Sequence, residues 1–255
     1  MISDKLFEPS NSIIRGIIES IEYLKSLGTE VIEFQPPNAN EAEELYTKVL
    51  SANKLQIFSE NLKNDKPIAL LRGYFNLVTL PKAIRKIIFL MARVFKQGTL
   101  RRVINYFDQN SGESIKQLEN RISEYKKKYI NSLDNTAIGR LDAVICPVFP
   151  TAAVLHNTAD KIGLGGTYNI QSNLLGFPAG VATVTCVNKN DLTLRPKSFD
   201  LVFRTARKIE KESEGLPVSV QIISRPFNDH IVIALIDKLH KNKIRENKGR
   251  KGNTR

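Results

Sequence analysis

The chain has 255 residues, enough for one large domain or two small ones, and its 42% hydrophobic and 25% charged residues suit a globular protein with a buried core. Its cysteines, Cys146 and Cys186, have no metal-ligand spacing and cannot staple a disulfide-rich scaffold, so a reducing compartment and small, buried apolar roles are expected for both. The net charge is +12, and its placement says more than its size. Lys66–Phe107 holds nine basic residues and no Asp or Glu, and Lys241–Arg255 holds seven basic residues against Glu246. Cations gathered in one apolar segment and one tail, with no reading module and no aromatic platform, exclude a nucleic-acid binder.

The N-terminus, Met1–Lys5, lacks the apolar core of a signal peptide, and no apolar run reaches membrane-spanning length. A soluble or peripheral protein is therefore expected. Ser12–Leu27 predicts a helix, with Ile13, Ile14, Ile17, Ile18, Ile21, Leu24 and Leu27 on one face and Gly28 closing its end. Val31–Phe34 reads as a short strand stopped by Pro36-Pro37, and any strand before the helix is reduced to Lys5-Leu6-Phe7. Asn40–Asn61 predicts a second helix, with Leu45, Val49, Ile57 and Leu62 on its apolar side.

Ile68–Phe107 is helical in pattern and unusually apolar. Pro81 suits a first helical turn, and Ile84, Ile87, Ile88, Met91, Val94 and Phe95 follow at helical spacing. Lys82, Arg85, Lys86, Arg93 and Lys96 lie among them, and Leu100–Phe107 repeats the mixture with Arg101 and Arg102. Such helices can lie in a bilayer interface, with apolar side chains among acyl chains and cations near anionic headgroups. Ile84, Ile87, Ile88, Met91, Phe95, Arg85 and Lys86 are the candidate membrane-binding residues. A buried helix with a solvated basic rim would give the same periodicity.

Gly112–Leu133 predicts a long polar helix with a seam of Ile115, Leu118, Ile122, Tyr125 and Tyr129. Asp142–Cys146 predicts a buried strand, Ile162–Gly166 a glycine-rich loop, and Val181–Val187 and Val218–Ile223 two further strands. Asn228–His240 predicts a closing helix, and Lys241–Arg255 a basic, disordered tail. Strands separated by helices indicate an α/β class. His156, His230 and His240 have no evident acid–nucleophile pairing and read as solvated or packing residues.

Two stretches carry a resemblance. Tyr168, Asn173 and Phe177-Pro178-Ala179-Gly180-Val181 fit the pattern Tyr-x4-Asn-x3-Phe-Pro-Ala-Gly-Val, and Gly215-Leu216-Pro217-Val218 with Gln221 fits Gly-Leu-Pro-Val-x-x-Gln. Both resemble the C-terminal half of the amidase-signature family, in particular its fatty acid amide hydrolase group. Leu80-Pro81 and the helices after it sit where that group carries its membrane-binding cap. The resemblance implies a mixed β-sheet flanked by helices, incomplete at the N-terminal side. Residues 1–240 would be the C-terminal half of an amidase domain, with 66–107 as cap helices.

The implied chemistry is hydrolysis of a lipid amide to fatty acid and amine. A serine is acylated, and a lysine acts through a bridging serine as the base. Neither a metal nor an organic cofactor is implied. The family's Gly-Gly-Ser-Ser-Gly-Gly signature and its upstream lysine do not occur among these residues, so no catalytic residue is assigned. Carried over by position, Gly163, Gly166 and Ile170 match residues lining the family's acyl channel, and the two glycines replace bulkier groups. The implied partners are a lipid amide, a membrane surface, and either the missing N-terminal half or a second copy. The implied location is peripheral, on the cytoplasmic face of an internal membrane. A catalytically inactive membrane-associating protein derived from the same fold is the alternative.

Overall fold

The computed structural model describes residues 7–51, 60–63, 65–108, 113–192 and 195–252. In chain order its elements begin with α1 (Asn11–Ser26), α2 (Ala39–Ser51), α3 (Ala69–Thr79), α4 (Lys82–Val94), α5 (Gly98–Asp108) and α6 (Ile115–Asp134). Then come β1 (Ala143–Pro147), the short α7 (Ala159–Ile162) running into a 3-10 turn at Gly163–Gly165, and α8 (Ile170–Leu175). Strand β2 (Ala179–Cys186), α9 (Leu201–Lys211), β3 (Pro217–Ser224) and α10 (Asp229–Gly252) complete the α/β architecture.

The three strands form one antiparallel sheet in the order β1-β3-β2. Central β3 is buried on both faces, which is why its sequence is a nearly continuous apolar run rather than an alternation. Val218, Val220 and Ile222 point to one face, where Ile13, Ile17 and Leu24 of α1 and Val232 and Leu239 of α10 cover them. Ile223 joins Val144 and Cys146 on the other face, beneath Tyr125, Tyr129 and Leu133 of α6. Burying each such aliphatic side chain contributes about 1.5–3 kcal/mol before entropic costs. Gly16 sets the approach of α1, because a Cβ there would stand 2.7 Å from Val218.

The three predicted strands after residue 140 match the observed ones to within two residues. Val31–Phe34 does not. It pairs with no strand among the described residues; together with β1 it lines a cavity of about 460 Å³. Phe34 is instead anchored by an edge-on contact with Tyr129, with ring centroids 6.0 Å apart. Ile18, Leu27 and Ile115, expected on apolar seams, are exposed.

Cys146 is buried but Cys186, at the end of edge strand β2, is exposed. From Lys241 onward a disordered tail is expected, yet α10 continues to Gly252, a run rich in helix-forming Lys and Arg. Residues 253–255, Lys5, Leu6 and Ile57 lie outside the described residues.

A candidate lipid-facing site

A cleft of about 470 Å³ opens beside the sheet, within the size range of small-molecule sites at roughly 300–1,000 Å³. Its wall is almost wholly apolar: Ile13 of α1, Val148 and Phe149 after β1, Ala152–Val154, Ile162 and Val181, with Thr151 and Ser219 as hydroxyl groups. The loop after β1 is pinned by the Ser10 amide, which donates to the Pro150 carbonyl at 2.7 Å.

Gly163 lies on the rim of this cleft, and a Cβ there would meet nothing within 4 Å. Gly166 stands just behind the wall. A Cβ there would come within 2.7 Å of the Phe149 ring, so the glycine makes room for a lining side chain. Ile170 is elsewhere: it opens α8 and packs, partly buried, on the cluster around Tyr129 and Phe177. Thus Gly163 borders the cleft, Gly166 stands behind its Phe149 wall, and Ile170 packs, partly buried, beside the core. Phe149 and Ala152–Val154 carry no motif and emerge as lining residues only in three dimensions.

Helices α3 and α5 stand against this region, α3 packing on α7 and α5 on the Gly163–Gly165 turn, and α4 packs on α5. The apolar face of α4 is turned outward. Ile84, Ile87, Leu90, Met91, Val94 and Phe95 are all exposed, and Ala92 is the buried residue of the helix. Ile88 is half-buried, and Lys82, Lys86 and Arg93 are exposed.

Arg85 departs from the expectation of a lipid contact. Its guanidinium turns inward to Asp108 at 2.6 Å, and it also donates to the Val78 and Leu80 carbonyls, tying α4 to both neighbours. Arg101 stacks over Phe89 at 4.8 Å, and Arg102 pairs with buried Glu43 at 2.9 Å. Burial and the Glu43 carboxylate together push the Tyr106 phenol up, so it stays a neutral donor to Glu43. These inward cations hold the helices together; the outward ones are left to solvent.

Among the described residues no acyl-transfer centre is evident. His156, His230 and His240 are exposed, and burial pushes the Cys146 thiol up to about 12, too high for a nucleophilic thiolate. Among the described residues, no lysine ammonium hydrogen-bonds to a serine hydroxyl. Nor do three His, Cys, Asp or Glu side chains converge as metal ligands. No helix among the described residues is long and apolar enough to cross a membrane.

The two motif stretches lie side by side. Val181 of β2 pairs with Gln221 of β3, and buried Gln221 also reaches Ser172 of α8 at 3.4 Å. Tyr168 is buried and donates its hydroxyl to the Phe7 carbonyl at 2.8 Å. Gly176, at φ 61°, ends α8 in the left-handed region that favours glycine. Gly180 lets β2 approach α10, since a Cβ there would collide with the Ile236 side chain.

Known proteins are similar to this chain. The chain is 26% identical to "Fatty acid amide hydrolase 1" of Caenorhabditis elegans over 239 residues, covering 91% of this chain and 40% of that protein. "Fatty-acid amide hydrolase 1" of Sus scrofa is also 26% identical, over 94% of this chain and 41% of that protein. A solved "Fatty acid amide hydrolase" shares the fold with a TM-score of 0.67 at 18% identity, over 94% of this chain and 39% of that one. The chain thus spans about 40% of the length of these curated relatives. The profile of the family described as Amidase matches residues 1–233, and this chain belongs to the amidase family.

Proposed function

We propose that this chain supplies the acyl-channel wall and the membrane-facing helices of a lipid-amide hydrolase. The observation that carries the reading is a juxtaposition. The segment Ala159–Gly165 lines an apolar cleft and also packs against α3 and α5, the helices that flank α4 and its exposed apolar face. A long-chain amide dissolved in a bilayer would meet the helices first and the cleft next. The acylated serine, the bridging serine and the lysine base would come from the part of the fold that these residues do not span. The assembly would sit peripherally on the cytoplasmic face of an internal membrane. An inactive, membrane-associating descendant of the same fold is the second reading, favoured by the α4 face alone.

Binding of a fluorescent long-chain fatty amide to the purified chain separates the two. Gly163 has helical backbone angles and open space at its Cβ position, so Gly163→Leu is tolerated by the backbone and intrudes on the cleft. Affinity should fall about tenfold or more, the equivalent of losing one well-buried aliphatic contact. An unchanged affinity, or no saturable binding at all, would remove the cleft from the proposal.

A further inference from the structure

We propose that the lipid-facing surface does not end with α4 but takes in a second wedge, Phe199 and Leu201 at the start of α9, which enters the interface of an anionic bilayer. This rests on the membrane reading of α4 and adds an element that neither its sequence motifs nor its position suggest.

Phe199 is 71% exposed, more than Phe95 at 62%. It is nevertheless not loosely held. Gln97, just beyond α4, donates its Nε2 to the Phe199 carbonyl at 2.6 Å, and the Leu201 amide donates back to the Gln97 Oε1 at 2.9 Å. Buried Asp200 then caps two helices at once. Its Oδ1 accepts from the Val202 amide at 2.9 Å and its Oδ2 from the Thr99 amide at 2.8 Å. The loop is therefore locked onto the α4–α5 turn. At that turn Lys96 adopts φ 53°, uncommon for a residue with a side chain, and places its ammonium 5.1 Å from the Phe199 ring centroid.

A large apolar side chain fixed in water, beside another of the same kind, marks a contact surface. Holding it rigid in the free protein lowers the entropy lost on insertion. The charge around it selects the partner. Beyond exposed Leu201, the outward positions of α9 are Arg204, Lys208 and Lys211, and α4 offers Lys82, Lys86 and Arg93. The Asp200 carboxylate is buried in its caps and presents no charge to the surface. Aromatic and aliphatic tips ringed by cations complement a headgroup layer of negative charge.

The chain has no tryptophan, so a single one reports its own surroundings. Phe199→Trp, Phe95→Trp and Phe227→Trp would each be mixed with phosphatidylcholine–phosphatidylserine vesicles carrying brominated acyl chains. Phe227, at 93% exposed and on the β3–α10 connection, is the control. The expected result is a blue shift and quenching at positions 199 and 95 and neither at 227. In addition, Phe199→Ser should weaken partitioning about fivefold, as for one half-buried aromatic ring. Quenching at 95 without 199 overturns the second wedge and leaves the α4 reading standing. No quenching at either overturns both. Equal quenching at 227 means indiscriminate adsorption and also overturns the wedge.

Discussion

Helices α1 and α4 are built from the same materials and used in opposite ways. Each carries a run of isoleucines at helical spacing interrupted by cations. In α1 the apolar stripe goes down onto the sheet, with Ile13, Ile17 and Leu24 buried against β2 and β3. In α4 the stripe faces out, and the buried residue is Ala92. The cations diverge in the same way. Arg15 of α1 is answered by Asp191 at 2.7 Å and Glu19, while Lys82, Lys86 and Arg93 of α4 face solvent with no acid between Lys66 and Phe107. Periodicity shows that a helix has two faces. What decides the direction is the neighbour: Gly16 and Ser20 let α1 sink onto the strands, whereas α4 packs mainly on α5 and is tied to the end of α3 by Arg85.

The comparison can be broken most severely at the sheet. Ile222, fully buried on β3, should cost about 2–5 kcal/mol on replacement by Ala, lowering Tm by about 5–15 °C. Thermal unfolding followed by circular dichroism reads this, and a shift of a degree or less would mean that the sheet is not the stabilising centre. The counterpart is Ile84, Ile88, Met91 and Phe95 changed together to Ser. Vesicle affinity should fall roughly ten- to hundredfold while Tm moves little, since three of the four are exposed. Sedimentation with phosphatidylserine vesicles that is indifferent to the quadruple change would show that α4 does not face lipid.

Much of the sheet side was legible in the sequence because its signals are local. Continuous apolar runs bounded by proline and glycine located β1, β2 and β3. What the sequence did not show has a different cause. Val31–Phe34 has strand composition, but a strand exists only where a partner's amides are in reach, and this segment pairs with none among the described residues. Arg85 looked like a lipid-facing cation because Asp108 lies 23 residues away, on the next helix. Ile170 and Gly163 are seven residues apart, and a short 3-10 turn sends one to the core and the other to the cleft. The same limit hid the clamp in which Gln97 holds Phe199 and Leu201 and Asp200 holds Thr99, pairings that span 101 to 104 residues. What depends on long-range placement of single side chains was not readable from pattern.

The smallest effect concerns the charges. Burial alone would raise the Asp191 carboxyl, but hydrogen bonds from the Arg15 guanidinium and the Asn188 amide, with the charge of Arg15, hold it below the usual carboxylate range. A carboxyl depressed on folding contributes stability above its unfolded pKa and loses it as pH falls through the folded one. Asp191→Asn should therefore cost about 1 kcal/mol at pH 7, and the gap to the parent chain should close as pH drops below about 4. Glu19 remains to Arg15 in the variant, which keeps the cost small. A gap that persists unchanged into acid would mean that Asp191 acts through packing or capping rather than charge. In that case α1 would be held to the sheet by its apolar face and by the bonds from Arg15 to Thr185 and the Cys186 carbonyl, and the charge of Asp191 would drop out of its contrast with α4.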